Sequence, residues 1–555
     1  MSFPGPDIFW TTLTSIVVIL TLSTLIGRTW GSLFPHSLTG AARFYLAPVL
    51  GMAMLTIFAS LIGRVLPLGN SVVVPMFIFC FLIWSVTLEQ SLARALRHAA
   101  AVSVFGIVCG TSVLASLFTF GGFDAHNDAF TYLVHANWLQ HNAFDDVISV
   151  ANVTPLSSQV STYQRAGFRM GGSFLLALAQ AFLNLRWSYE VYPAVIVSAV
   201  ASCCLAMGFP LVRLLRPLRL DIRLALLCLP AFTLGGLVFG ANFGFLPQTL
   251  GLSLGATFLF VVGPLLRWVS IARRTWKDVF QVAFPAAMLL AAAGFAYSEL
   301  LPFLLIAVTG SAFILAFRSP YRGIVLAYTA VLVGLALLLL NKELIRTYAA
   351  LQAQSNAVVG SPVDWTLLGY IAHALGMHGG AWDIFQWSLP ENSHSYILIS
   401  GLVLTAVVSA MILRNGPVIW RYSINGIFMP TAFILVIFSI GLVYFRYFVS
   451  APFPIGLGQS WSQFKLADWA HPFIMVFTLF AIARTHKHLR RYFNITVGVV
   501  FSVGLISAML ISVVRTKPLV QYYGGTQDLA RFYQEFRHVV AASCPRSARV
   551  YLGKV

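Results

Sequence analysis

The chain has 555 residues, a formal charge of +18 at pH 7, 59% hydrophobic residues and only 9% charged ones. Soluble domains carry roughly 25% charged residues, and a soluble fold of this length cannot hide so much apolar surface from water; lipid must be part of the solvent. The basic balance does not point to nucleic acid, because Lys and Arg are scattered through short loops with no basic domain, as the positive-inside rule distributes them.

In chain order, Met1 to Phe9 lacks a basic n-region, and no small-residue cleavage site follows the first apolar run, so no cleavable signal peptide is expected. Apolar length then predicts about fourteen membrane-spanning helices. The first four cover 8–27, 42–63, 69–88 and 98–118; the fifth begins near Val191 and ends before Arg213. The others are 224–241, 247–266, 279–297, 300–317, 323–340, 395–413, 424–445, 468–483 and 493–514.

Gly171 to Leu185 is apolar but short for a span. If it spanned, Arg213, Arg216, Arg219 and Arg223 would face outward. Placed at the membrane surface or as a re-entrant piece, it turns those arginines to the cytoplasm. The clusters Arg267/Arg273/Arg274/Lys277, Arg318/Arg322, Arg414/Arg421 and Arg484/Lys487/Arg490/Arg491 then follow them. One assignment corrects five loops, so the segment is read as juxtamembrane and both termini as outer.

The organisation that results is all-α and polytopic. Four N-terminal spans (1–118) lead into a first large outer loop with juxtamembrane helices (119–190). A transmembrane core (191–514) carries outer loops 341–394 and 446–467, and an outer tail (515–555) follows. In the tail, 527–542 has helical periodicity and 548–552 reads as a short strand. Long loops on one face and short basic ones on the other place recognition or chemistry on the outer face. Cys80, Cys109, Cys203, Cys204 and Cys228 lie in apolar runs and Cys544 is alone in the tail, which is neither a disulfide framework nor metal-ligand spacing; they read as small hydrophobes.

The most informative stretch is Gly122 to Gln140, directly after the fourth span. From Asp128 it reads as a helix with Tyr132, His135 and Leu139 on one face. Asp124 and Asp128 stand at the loop-to-helix junction, where free backbone N–H groups stabilise the carboxylate. Such a group acts as a base, binds a cation, or caps the helix. Asp124, His126 and Asp128 together offer three ligands for a divalent metal such as Mg or Mn, though their spacing is not diagnostic.

The run Asp128-Ala129-Phe130-Thr131-Tyr132, with Ala136, Trp138 and Leu139, resembles the first outer loop of GT-C superfamily glycosyltransferases, many bacterial members of which carry an Asp-Ala-x-x-Tyr-His type motif there. Here Leu133 stands where the histidine often is, and His135 follows two places later. The surface segment 168–185 and the helix 191–212 follow in the same order as in that superfamily. The resemblance covers about a fifth of the chain by motif and the rest by topology. It implies an enzyme of the bacterial inner membrane. A sugar would pass from a polyprenyl-phosphate or -diphosphate carrier to a glycan, lipid or protein acceptor on the periplasmic or extracellular face, with inversion and an aspartate base. The base would be Asp128, which fits the motif, or Asp124.

Further outer-face residues fit such a site. Glu299, in Tyr297-Ser298-Glu299-Leu300-Leu301-Pro302, is a carboxylate at a tight junction near the membrane, where it must be solvated or paired. Lys465, in Trp461-Ser462-Gln463-Phe464-Lys465-Leu466-Ala467-Asp468-Trp469-Ala470-His471-Pro472, is a cation on the outer side, suited to a donor phosphate or to snorkelling. Tyr132, His135 and Arg169 are further substrate-binding candidates, with Arg165 and Arg446 weaker ones. The amides of Asn242 and Gln248 either line the site or cap broken helices. Loop 341–394 sets Asp364, His373, His378, Asp383 and His394 among Trp365, Trp382 and Trp387, which is read first as an interfacial aromatic belt.

Two other classes compete. A transporter or flippase would bury ionisable groups at mid-membrane and often repeat its halves, and no repeat is found. A polysaccharide polymerase or ligase of the cell envelope would show essential arginines in a large late loop, where 341–394 has only Arg346.

Overall fold

The computed structural model describes residues 6–69, 73–88, 91–123, 128–146, 148, 160, 161, 164, 169–233, 235–357, 360, 362–377, 391–453, 456–485 and 490–523. Every regular element among them is a helix. That is the solution hydrocarbon demands, because a helix closes its backbone hydrogen bonds within one segment.

Eleven helices are long and apolar enough to cross a membrane, or thirteen if each of two bent pairs is one span; hydropathy predicted about fourteen. The differences fall at identifiable places. The run 98–118 divides at Gly110 into Leu92–Cys109 and Thr111–Phe120. The run 224–241 is Leu220–Phe232 followed by Gly236–Asn242, bent by 59°. Gly401–Arg414 and Gly416–Ile424 meet at 57°. The third predicted span is the sixteen-residue helix Val73–Leu88, shorter than the usual span. The segment read as juxtamembrane forms Gly171–Phe182, twelve residues. At about 1.5 Å per residue this is too short for a hydrocarbon core of about 30 Å. Most of its residues are buried. The predicted helix 527–542 and strand 548–552 lie outside the described residues.

Burial separates an inner from an outer ring. Leu246–Ser270 and Ser460–Thr485 are 94% and 89% buried over their apolar windows, against 28% for Met429–Tyr447 and 17% for Tyr492–Val514. The outer helices present Val, Ile, Leu and Phe outward, which only lipid tolerates on this scale. Close packing between spans rests on small residues. At the crossing of Pro6–Gly31 with Ala47–Ile62, a Cβ on Gly27 would run into the Ala47 carbonyl, and one on Gly51 into that of Ser23. Cys109, Cys203, Cys204 and Cys228 are buried, as expected for small hydrophobes, whereas Cys80 is exposed on the helix Val73–Leu88.

The helices also sort the charges. Gln248 is in the first turn of Leu246–Ser270 and Arg267 in its last. Glu299 lies just before Leu301–Arg318, which ends on Arg318. Lys465 is near the start of Ser460–Thr485, whose last turn holds Arg484. Gln248, Glu299 and Lys465 therefore stand at one end of the bundle, and Arg267, Arg318 and Arg484 at the other.

Candidate active site

Four segments converge at the carboxylate-bearing end. Asp128 is the first residue of the helix Asp128–Trp138, where the helix dipole favours a negative charge. One turn on, Tyr132 is almost wholly buried, and its hydroxyl donates a long hydrogen bond to Asp128 Oδ2, 3.5 Å. Arg169 lies just before Gly171–Phe182 and pairs with Glu299 from the turn Ser298–Leu300. Its guanidinium carbon is 4.9 Å from the centre of the Tyr297 ring. Burial alone would lower the pKa of Arg169; the Glu299 carboxylate, then Tyr132 and Tyr297, more than reverse this and hold it well above its usual value.

Lys465 completes the cluster. Its Nζ donates to Gln248 Oε1 at 2.9 Å and lies 4.5 and 5.4 Å from the Phe245 and Trp461 ring centres. Asp468, Arg169, Glu299 and Asp128 are all within electrostatic reach of the ammonium. Five of the residues picked from sequence, Asp128, Tyr132, Arg169, Glu299 and Lys465, therefore share one neighbourhood although they come from segments more than 300 positions apart.

Beneath Lys465 lies a polar network that the sequence reading did not assign. Asp468 is fully buried. Its Oδ1 accepts from the Gly236 N–H at 2.8 Å and faces His373 Nε2 at 3.1 Å, while Oδ2 accepts from Gln248 Nε2. A buried carboxylate is tolerable because those donors replace water. The broken span supplies one of them: Gly236 adopts φ +56°, and a Cβ there would strike the His471 ring, so glycine is needed for both conformation and space. His471 Nε2 is 2.8 Å from Thr233 Oγ1 at the same break. One sequence signal pointed here. Lys465, Asp468 and His471 recur every three residues, on one helix face, and ionisable residues inside a span mark function. Starting the predicted span at 468 left that acid at its margin.

The remaining predicted residues go elsewhere or fall outside the description. His135 lies two turns beyond Asp128 along the same helix, fully buried beside Val160 and Arg346. Burial pulls its pKa from 6.5 down to about 4, with the Arg346 charge adding to the drop and backbone groups of Val160 and Thr131 opposing it. Nearby, Arg64 pairs with Glu343, and both Arg64 and Arg346 face the Phe144 ring, at 5.5 and 4.3 Å. This second cluster ties Glu343–Ala357 to the first loop; Arg346 Nη2 donates to the Gln164 carbonyl and Gln164 Nε2 to that of Phe144. Arg446 is engaged with the Trp365 carbonyl. Asp124, His126 and Arg165 lie outside the described residues. Among the described residues no group of three His, Cys, Asp or Glu side chains is arranged to hold a metal ion; of the three proposed ligands only Asp128 is among them.

Comparison of the chain with protein-family models and with curated proteins returns no match.

Proposed function

We propose that the chain is a membrane glycosyltransferase of GT-C type, moving a sugar from a polyprenyl-phosphate or -diphosphate carrier to a glycan, lipid or protein acceptor at the carboxylate-bearing end of the bundle. The observation that supports this most directly is the gathering of Asp128, the Arg169–Glu299 pair and Lys465 at one end of an otherwise apolar bundle.

The chemistry follows from what each group can do. The acceptor hydroxyl attacks the anomeric carbon from the face opposite the phosphate. Asp128 takes the hydroxyl proton as the new C–O bond forms. The bond between the anomeric carbon and the phosphate oxygen breaks, its electron pair leaves on the phosphate, and configuration inverts. Lys465, a point cation with mobile donors, neutralises that charge. Glu299 is held by Arg169 and orients the acceptor, while Tyr132 steadies Asp128. A divalent ion at Asp124, His126 and Asp128 would supply further charge neutralisation, and no step above depends on it. The apolar outer ring suits a donor that arrives from within the membrane.

A second reading, a transporter or flippase, is favoured by one observation: the broken span at 233–236 meets the buried Asp468, His373 and His471, as in ion-coupled carriers. Reconstitution into liposomes separates the two. Transfer of labelled sugar from a lipid-phosphate donor to added acceptor, without net movement of either across the bilayer, is expected. Translocation without transfer would replace the enzyme reading.

A further inference from the structure

The network beneath Lys465 has a direction built into it. A carboxylate offers acceptors only. Oδ1 of Asp468 accepts from the Gly236 N–H, and Oδ2 from Gln248 Nε2. Gln248 must therefore turn its NH₂ toward Asp468 and its carbonyl oxygen toward Lys465, whose Nζ donates to it at 2.9 Å. The reverse orientation would set an NH₂ group against an ammonium. One of the three ammonium protons is used in this way, and Asp468, Arg169, Glu299 and Asp128 are the charged groups within reach of the ammonium.

We propose that Asp468 is a positioning residue, which fixes the Gln248 amide and through it aims the Lys465 ammonium at the phosphoryl group of a lipid-linked donor. The inference rests on the glycosyl-transfer reading, and it assigns a role that Lys465 alone does not reveal.

Asp468→Asn tests the polarity with almost no change in shape. The substituted side chain carries one acceptor oxygen and one NH₂. The Gly236 N–H is a backbone donor and cannot turn, so the acceptor has to stay on that side. The NH₂ then faces Gln248, which must rotate to offer its oxygen. The Gln248 NH₂ now opposes Lys465 and pushes the ammonium out of place. His373, whose Nε2 shares Oδ1, keeps its partner.

The experiment measures binding of farnesyl phosphate to the full-length protein in nanodiscs, with farnesol and inorganic phosphate as the other probes. Farnesyl phosphate is expected to bind at least about tenfold more tightly than farnesol, a difference of about 1.4 kcal/mol. Lys465→Met and Asp468→Asn should each remove roughly that tenfold, and Asp468→Asn should cost nothing further in the Lys465→Met background. Gln248→Met is the companion variant should Asp468→Asn fold poorly; it should show the same loss and the same dependence on Lys465. Multiplying losses in the double variants, or wild-type affinity in Gln248→Met, would discard the positioning role while leaving the enzyme reading in place. A wild-type protein that does not prefer farnesyl phosphate to farnesol would discard both. A preference shared by inorganic phosphate at equal affinity would show a free-phosphate site in place of a lipid-donor site, and would overturn the proposal as stated.

Discussion

Arg169 and Glu299, 130 positions apart in the chain, form an ion pair whose side chains are only 17% and 14% exposed. This contact binds the first large loop to the turn between two spans. Removing one partner leaves the other charged and largely dry. Glu299→Gln should therefore destabilise the detergent-solubilised protein by about 2 kcal/mol or more, somewhat less than a fully buried pair because water still reaches both groups. The double variant Arg169→Met/Glu299→Met should recover much of that loss. Thermal or denaturant unfolding would measure both; a double variant as unstable as the sum of the singles would show that the pair is not the coupling.

Asp128 is the proposed base, and replacing it need not disturb the fold. Its side chain is partly exposed and its one hydrogen bond to Tyr132 is long. Asp128→Asn should keep the shape of the side chain but lose turnover by about a hundredfold or more, with unchanged expression and melting. A single-turnover assay of sugar transfer checks this, and ordinary turnover in Asp128→Asn would remove the residue from the role.

The buried imidazole of His135 makes stability depend on pH. Its pKa falls from 6.5 to about 4 on folding, so its contribution is fully present above pH 6.5 and is lost as pH falls toward 4. Between pH 7.5 and 5 the loss is about 2 kcal/mol. Glu343 acts in the opposite sense: burial raises its pKa above 4.5 despite Arg346 and Arg64, so its contribution fades as pH rises from that point. The melting temperature should drop on acidification to pH 5, and His135→Phe should flatten that drop. An unchanged acid profile in His135→Phe would assign the sensitivity to another group.

Side chains at Gly27 and Gly51 should be costly in proportion to their size, because each would drive a Cβ into a backbone carbonyl of the facing helix and the helices would have to move apart. Gly51→Leu should abolish folded yield in size-exclusion chromatography, with Gly51→Ala intermediate. Gly40→Ala, which meets open space, should behave as wild type. Normal yield of Gly51→Leu would mean the two helices do not cross where the structure sets them.

Composition and apolar run length were enough to establish a helical bundle in lipid, because hydrocarbon leaves a chain few ways to satisfy its backbone and writes that requirement into every span. The first-loop motif likewise brought into view a helix starting at Asp128 with Tyr132, His135 and Leu139 on one face, since local periodicity is a property of neighbouring residues. Span breaks at Gly110 and near Gly236 were not legible: the apolar run continues across both, and the turn at Gly236 depends on Asp468 and His471, more than 230 positions later. The same reason separates the candidates. His135 shares a sequence motif with Asp128 but faces another cluster, while His373, read as part of an aromatic belt, meets Asp468 in the interior. Which polar groups stand together in a mostly apolar chain is decided by helix packing, and packing joins residues whose distance along the chain carries no signal of their contact.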